Sequence, residues 1–319
     1  MRIHPDLFYA KILLFGEYSV LLNSMGLSIP YTHFKGELSF IGEDKYTDRN
    51  FAKRSNNELL KYLEYLKGDF DTYNKLIDLQ SLEKDIMKGL YFESSIPESY
   101  GLGSSGALCA SLYKRYGMNT IGNSKKLKNG DIIELKTVLA QLESGFHGKS
   151  SGLDPLNSYL KVPLLIHHQN EIEQVNLPGD KFGEDSAIFL INSQKSGNTE
   201  PLVRSFLNKC EKEDYLDLMQ KQLIPMNNKC ILELVNGNAD SFFTQLEKLS
   251  EFQYTNFSSM IPDNFLDLWK EGLETRQFWM KLCGSGGGGY LLGFTKSYST
   301  TKDILKNKGL DIVTVYQNQ

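Results

Sequence analysis

Residues 101–106 read Gly-Leu-Gly-Ser-Ser-Gly and continue into Ala107-Leu108-Cys109-Ala110-Ser111-Leu112, a run able to start a helix. Glycine-rich backbone ahead of a helix N-terminus aims several amides at one anion, which is the chemistry of a phosphate cradle. Lys11 lies inside the apolar run Tyr9 to Phe15, ahead of Gly16-Glu17. A lysine there favours a functional charge, because lysine is rarely buried unless paired. Glu143 and Asp154 flank His147-Gly148-Lys149-Ser150-Ser151-Gly152-Leu153, a glycine-containing turn able to bring both carboxylates to one site. One carboxylate could then hold a metal while the other accepts a proton, and a hydroxyl from Ser104 or Ser105 could join the metal's oxygen ligands. His147, followed by glycine, fits a hydrogen-bonded turn histidine or a catalytic one, and the structural role is favoured. The four consecutive glycines at 286–289 predict close approach of backbone to a ligand.

Two common nucleotide folds fit poorly. Gly101 to Gly106 matches G-x-G-x-x-G, but the stretch about 20 residues on, where a dinucleotide fold needs an acid for the ribose, reads Thr120-Ile121-Gly122-Asn123-Ser124-Lys125-Lys126. No G-x-x-x-x-G-K-[ST] occurs, and the tract 284–289 is followed by Tyr290.

These residues need elements to hold them. Strands are predicted at 8–15, 37–41, 89–96, 163–166, 187–191, 290–294 and 312–316 from their β-forming residues. Leu59, Leu60, Leu63 and Leu66 predict a helix over 56–66 with Ser55 as its cap, and Ile132, Leu135, Leu139 and Leu142 predict another over 131–143. The glycine loop thus sits in a strand–loop–helix unit ending by Gly117. Helical patterns dominate from the 187–191 strand to about residue 270, and a further helix is expected near 300–308. The turn-rich segment 177–183 is the expected boundary between two domains, 1–180 and 181–319. Mixed helices and strands make the class α+β.

At 319 residues the chain has length for two domains. A formal charge of −4 without a basic block disfavours a nucleic-acid partner, and no apolar run approaches the ~20 residues of a membrane span. The N-terminus lacks an apolar stretch with a cleavage site, so a cytoplasmic location is expected. Cys109, Cys210, Cys230 and Cys283 are widely spaced and read as reduced thiols.

Three segments, in order, resemble the GHMP kinases, and mevalonate kinases among them most closely: Lys11 to Tyr18 (KILLFGEY), Pro97 to Gly106 (PESYGLGSSG) and Lys281 to Gly289 (KLCGSGGGG). The Glu143 to Asp154 segment is similar to one that separates mevalonate kinases from many relatives. Three departures stand out: Ser99 where the second motif usually has glycine, Gly106 where it has alanine, and Tyr18 where mevalonate kinases commonly have histidine. Some bacterial phosphomevalonate kinases share the Gly-Glu-Tyr.

The resemblance implies a ribosomal-protein-S5-like N-terminal domain joined to a ferredoxin-like C-terminal domain, with ATP and Mg²⁺ as cofactors. It implies Asp154 as base and Lys11 at the reacting hydroxyl or phosphate. Ser94, Gly101, Leu102, Gly103, Ser104 and Ser105 would contact the nucleotide, and Ser105 with Glu143 would ligate Mg²⁺. Glu17, His147, Ser151, Gly286 and Gly287 would line the substrate and phosphate loops. The implied activity is phosphorylation of a small alcohol, mevalonate first, in isoprenoid precursor synthesis, with a homodimer possible. The alternatives are another GHMP kinase, such as one acting on phosphomevalonate, and a non-catalytic sensor of ATP and a metabolite.

Overall fold

The computed structural model describes residues 7–42, 48–123, 126–178, 181–197 and 199–317, with the side chains of His147 and Thr199 outside the described set. Strand β1 (Phe8–Phe15) forms where aromatic and branched residues crowd, and it is buried along nearly its whole length. After it comes β2 (Gly26–Phe40), whose first residues are buried and whose second half is mostly half-buried, with His33 and Lys35 exposed. The sequence predicts only its end, because Pro30, Lys35 and Gly36 interrupt the strand-like composition.

Helix α1 (Arg49–Lys67) begins earlier than expected and is capped by Asp48, whose carboxylate accepts from the Asn50 amide at 2.8 Å. Ser55 is not its cap. It lies within the helix, where its hydroxyl donates to the Phe92 carbonyl and accepts from the Phe92 amide, both at 3.0 Å. The polar first turns of α1 carry no apolar period, so the repeat beginning at Leu59 misplaces the start. Next come α2 (Phe70–Tyr73), α3 (Leu79–Met87), β3 (Leu90–Ser94), α4 (Ser104–Tyr116), α5 (Asn129–His147) and α6 (Leu153–Leu160). Strands β4 (Leu164–His168) and β5 (Glu171–Gln174) complete a five-stranded sheet of order β1-β2-β4-β5, with β3 also paired to β2. Antiparallel registers include Leu38 opposite Phe92 and Leu27 opposite Leu165.

The rest of the chain supplies β6 (Ala187–Asn192), α7 (Thr199–Cys210), α8 (Glu213–Leu218), α9 (Ile224–Asn236), α10 (Ala239–Asn256), α11 (Leu266–Thr275), β7 (Trp279–Leu282), β8 (Tyr290–Thr295), α12 (Tyr298–Asn307) and β9 (Ile312–Gln317). Its four strands form an antiparallel sheet of order β7-β8-β6-β9.

Among the described residues, 7–11, 30–98 and 102–162 gather as one compact unit, and 12–29, 99–101 and 163–317 as another. The first unit's core is the packing of α4, α5 and α6, in which Ala107, Cys109, Leu112, Leu135, Leu139, Leu142, Leu156 and Tyr159 are fully buried. Each such leucine removed from water contributes about 1.5–3 kcal/mol. In the second, Phe15 packs against Phe242 and Phe294, and Trp269 donates to Ser250, which donates to the Met280 carbonyl. All four cysteines are free thiols. Among the described residues, no helix is long and apolar enough to cross a membrane.

Candidate phosphate-loop site

Helix α4 starts on Gly103, whose φ of 74° and ψ of 42° place it in the left-handed region that favours glycine. The loop is fastened to β1 by the Lys11 amide, which donates to the Leu102 carbonyl at 2.9 Å. Residues 104 and 105 form the first turn of α4, and a helix start is the kind of backbone that suits an anion. Lys11 extends from β1 to Asp154, with Nζ 3.0 Å from Oδ1. Lys11 is 10% exposed at its side chain and Asp154 is 38% exposed, so the carboxylate keeps an open side. A Cβ on Gly103 would stand 2.9 Å from the Lys11 Cγ and 3.4 Å from the Asp154 Oδ2, so the glycine leaves room for that pair.

Asp154 reaches this position because the chain folds back after α5. Gly148 and Gly152 both have positive φ, and a Cβ on Gly152 would lie 2.3 Å from the Lys136 carbonyl oxygen. The turn therefore rests directly on α5 and puts Asp154 in the first turn of α6. A carboxylate is favoured at that end by the helix dipole. Glu143 is nearly buried, at 5% exposure. The Ser105 hydroxyl donates to its Oε1 at 3.0 Å and the Ser150 hydroxyl to its Oε2 at 2.5 Å. Burial, and then the negative charge of Asp154, raise the Glu143 pKa to about 7, while the two hydroxyls and Lys11 oppose the rise.

The sign of that shift has a consequence for stability. Folded Glu143 holds a proton up to about pH 7, whereas an unfolded glutamate releases it near its ordinary value of 4.5. Stability should fall as pH climbs between those values and level off above them. Thermal melts from pH 4.5 to 8 without divalent metal should show this slope. Glu143→Gln should flatten it and melt higher than the parent at pH 8; equal slopes in both proteins would exclude Glu143 as its source.

One unit thus brings together Lys11, Leu102, Gly103, Ser104, Ser105, Glu143 and Asp154. Ser94 ends β3 in the same unit, its hydroxyl accepting from the Ile96 amide at 3.1 Å. Ser151 is exposed, and its hydroxyl accepts from the Leu153 amide at 3.4 Å. His147 closes α5, but its side chain lies outside the described residues.

Glu17, Gly101, Gly286 and Gly287 lie in the other unit. There the glycine tract is threaded through close backbone contacts. The Gly287 amide donates to the Met260 carbonyl at 2.7 Å, and a Cβ on Gly286 would stand 2.4 Å from that same oxygen. A Cβ on Gly101 would stand 4.0 Å from the Gly284 Cα. Ser99, at φ 62°, holds the left-handed conformation that accounts for glycine in the motif it resembles. Glu17 is engaged by Lys281, with Nζ to Oε1 at 2.6 Å and side chains 0% and 1% exposed. The hydroxyl of Tyr18 donates to the Ser285 carbonyl at 2.5 Å, and its ring packs against Phe206 and Phe257.

Sequence reasoning passed over Ser150 and Lys281. The signal for Lys281 was present, since it too is a lysine in an apolar strand, the argument that singled out Lys11. Ser150 carried none, because a serine in a Ser/Gly turn is ordinary.

Residues 59–160, which hold Ser105, Glu143 and Asp154, match the family model for the GHMP kinases N terminal domain, and the protein has the GHMP kinase fold. Kinases of this family phosphorylate small molecules and use ATP. Solved structures similar over nearly the whole chain include Methanococcus jannaschii mevalonate kinase, at 18% identity and a TM-score of 0.61, covering 98% of each chain. Lactococcus lactis galactokinase complexed with galactose is similar at 16% identity and 0.64, covering 98% of this chain and 94% of that one. Streptococcus pneumoniae phosphomevalonate kinase in complex with phosphomevalonate and AMPPNP is similar at 15% and 0.61, covering 97% and 99%. No curated protein sequence matches the chain.

Proposed function

We propose that this protein is an ATP-dependent kinase of a small alcohol, with mevalonate as the preferred acceptor. The observation that carries the reading is the grouping of Lys11, Asp154, Glu143 and Ser105 around the start of α4. Asp154, exposed on one side and held by Lys11, accepts the proton of the attacking hydroxyl. Lys11 steadies charge that builds on the transferring phosphoryl oxygens, and the amides opening α4 hold the triphosphate in line.

Mg²⁺ fits the donors present. Two carboxylates, one of them buried and pushed toward protonation, lie beside one ammonium, an excess of negative charge that a hard cation would offset. Among the described residues, no three His, Cys, Asp or Glu side chains cluster for a metal. That suits an ion held by the Glu143 carboxylate, the Ser105 hydroxyl and the nucleotide's own oxygens. When bound, the ion would neutralise charge on the β- and γ-phosphates. Glu143→Gln is accordingly expected to raise the Mg²⁺ concentration for half-maximal rate, and Ser105→Ala to do so more mildly. Unchanged titration and kcat in the glutamine variant would remove Glu143 from the metal site.

The acceptor is read from charge. Phosphomevalonate adds a phosphate of about −2 to mevalonate's carboxylate, and recognising it calls for extra Arg or Lys. Arg204 already pairs with Glu200 at 2.7 Å and Arg276 with Glu247 at 2.9 Å, while Lys149 is exposed. The expected kcat/KM for mevalonate therefore exceeds that for phosphomevalonate by at least about tenfold, or roughly 1.4 kcal/mol. A coupled ADP-release assay across mevalonate, phosphomevalonate, homoserine and galactose tests this reading. Turnover of none would favour a sensor, and turnover of phosphomevalonate above mevalonate would replace the acceptor alone.

A further inference from the structure

We infer that Gly106 is a positioning residue that sets how deep Asp154 sits against the phosphate loop. This rests on the reading of Asp154 as the base. Gly106 lies in the first turn of α4 with no unusual backbone conformation that would call for glycine. The requirement comes from what it faces. A Cβ at this position would stand 2.8 Å from the Asp154 carbonyl carbon, 2.8 Å from the Pro155 nitrogen and 2.9 Å from the Asp154 Cβ. Two of these are backbone atoms, which cannot swing aside as a side-chain tip can. An alanine could be admitted only by moving the first turn of α6, and that turn carries the carboxylate held 3.0 Å from Lys11.

A glycine inside a helix is ordinarily a liability, since alanine favours helix by up to about 1 kcal/mol. Gly130, near the start of α5, shows the ordinary case: a Cβ there would meet nothing within 4 Å. The two positions share a helix-terminal setting and differ in what stands opposite. Gly106, where the motif it resembles has alanine, thus gives up helix propensity to the close approach of α4 and α6 particular to this chain, whose α6 turn carries Asp154.

The test compares Gly106→Ala with Gly130→Ala as a matched control, each in the parental and Asp154→Asn backgrounds. Readouts are kcat, KM for ATP and acceptor, and the thermal melt. Gly106→Ala is expected to lower kcat about 10–100-fold with KM for ATP within about threefold of the parent, because small misplacement of a reacting group is costly. It should add no loss to the residual rate of Asp154→Asn, as expected for residues acting through one another. Gly130→Ala should leave all kinetic constants unchanged. A Gly106→Ala enzyme with kcat within twofold of the parent, an equal loss in both backgrounds, or a protein without a cooperative melt would overturn the positioning role. If Asp154→Asn itself keeps turnover, the functional reading fails. If Asp154→Asn loses turnover while Gly106→Ala keeps it, only this inference fails.

Discussion

Asp154→Asn is expected to lose about 10²–10⁴ in kcat while binding ATP nearly as the parent does. The amide keeps the shape of the carboxylate and can still accept from Lys11, so the geometry of the 3.0 Å contact is retained while the proton acceptor is removed. The change should not destabilise the fold. The charge of Asp154 is the second-largest cause lifting Glu143 toward pH 7, so removing it relieves a repulsion within the site. At pH 8 without divalent metal, the variant should melt at or above the parental temperature. Lost turnover with undiminished stability marks a carboxylate kept for chemistry at some cost in stability. Steady-state kinetics, equilibrium binding of a fluorescent ATP analogue and a thermal melt together check the expectation. A kcat within threefold of the parent would remove Asp154 from the base role, and a large loss of ATP affinity would assign it to nucleotide binding instead.

Much of this site could be read from the chain because its parts are local. Gly101 to Ser105, with the helix that follows, is one contiguous strand–loop–helix, and its conformation is set by neighbours in sequence. Glu143 and Asp154 are close in sequence and joined by a glycine turn, so their meeting was foreseeable from spacing. Partnerships over long sequence separations were not. Lys281 and Glu17 are 264 residues apart, and no periodicity can announce that two buried charges will meet. Tyr18 likewise gave no sign that its hydroxyl would bond the Ser285 carbonyl. Gly106 could be seen as glycine in a helix, but the reason for it lies in the backbone of residues 154 and 155, reached through the packing of α4 on α6. Among the elements, β7 was missed because Trp279 to Leu282 is too short to show alternation. The start of α1 was misplaced because Asp48 caps turns without an apolar stripe.

Lys281→Met is expected to destabilise the protein by about 3–5 kcal/mol, the usual cost of leaving one member of a buried ion pair uncompensated. Both side chains are essentially out of contact with water. Lys281 also donates to the Leu282 carbonyl at 3.0 Å, and its ammonium lies 5.3 Å from the centre of the Phe15 ring. Methionine fills similar space and suits the apolar surroundings, so the loss should come almost wholly from the carboxylate of Glu17. That attribution can be separated from simple damage to packing. The double variant Glu17→Gln with Lys281→Met removes both charges, and it should recover most of the stability that the single change costs. For a domain of this size, the single variant should melt roughly 10 °C lower. The pair bears on more than stability, because Lys281 stands three residues before Gly284 and Tyr18 follows Glu17. These two contacts tie Glu17 and Tyr18 to the strand and loop that carry the glycine tract. A single variant melting within 1–2 °C of the parent would mean that Glu17 takes up a proton when its partner is lost, and a double variant no better than the single would place the cost in packing.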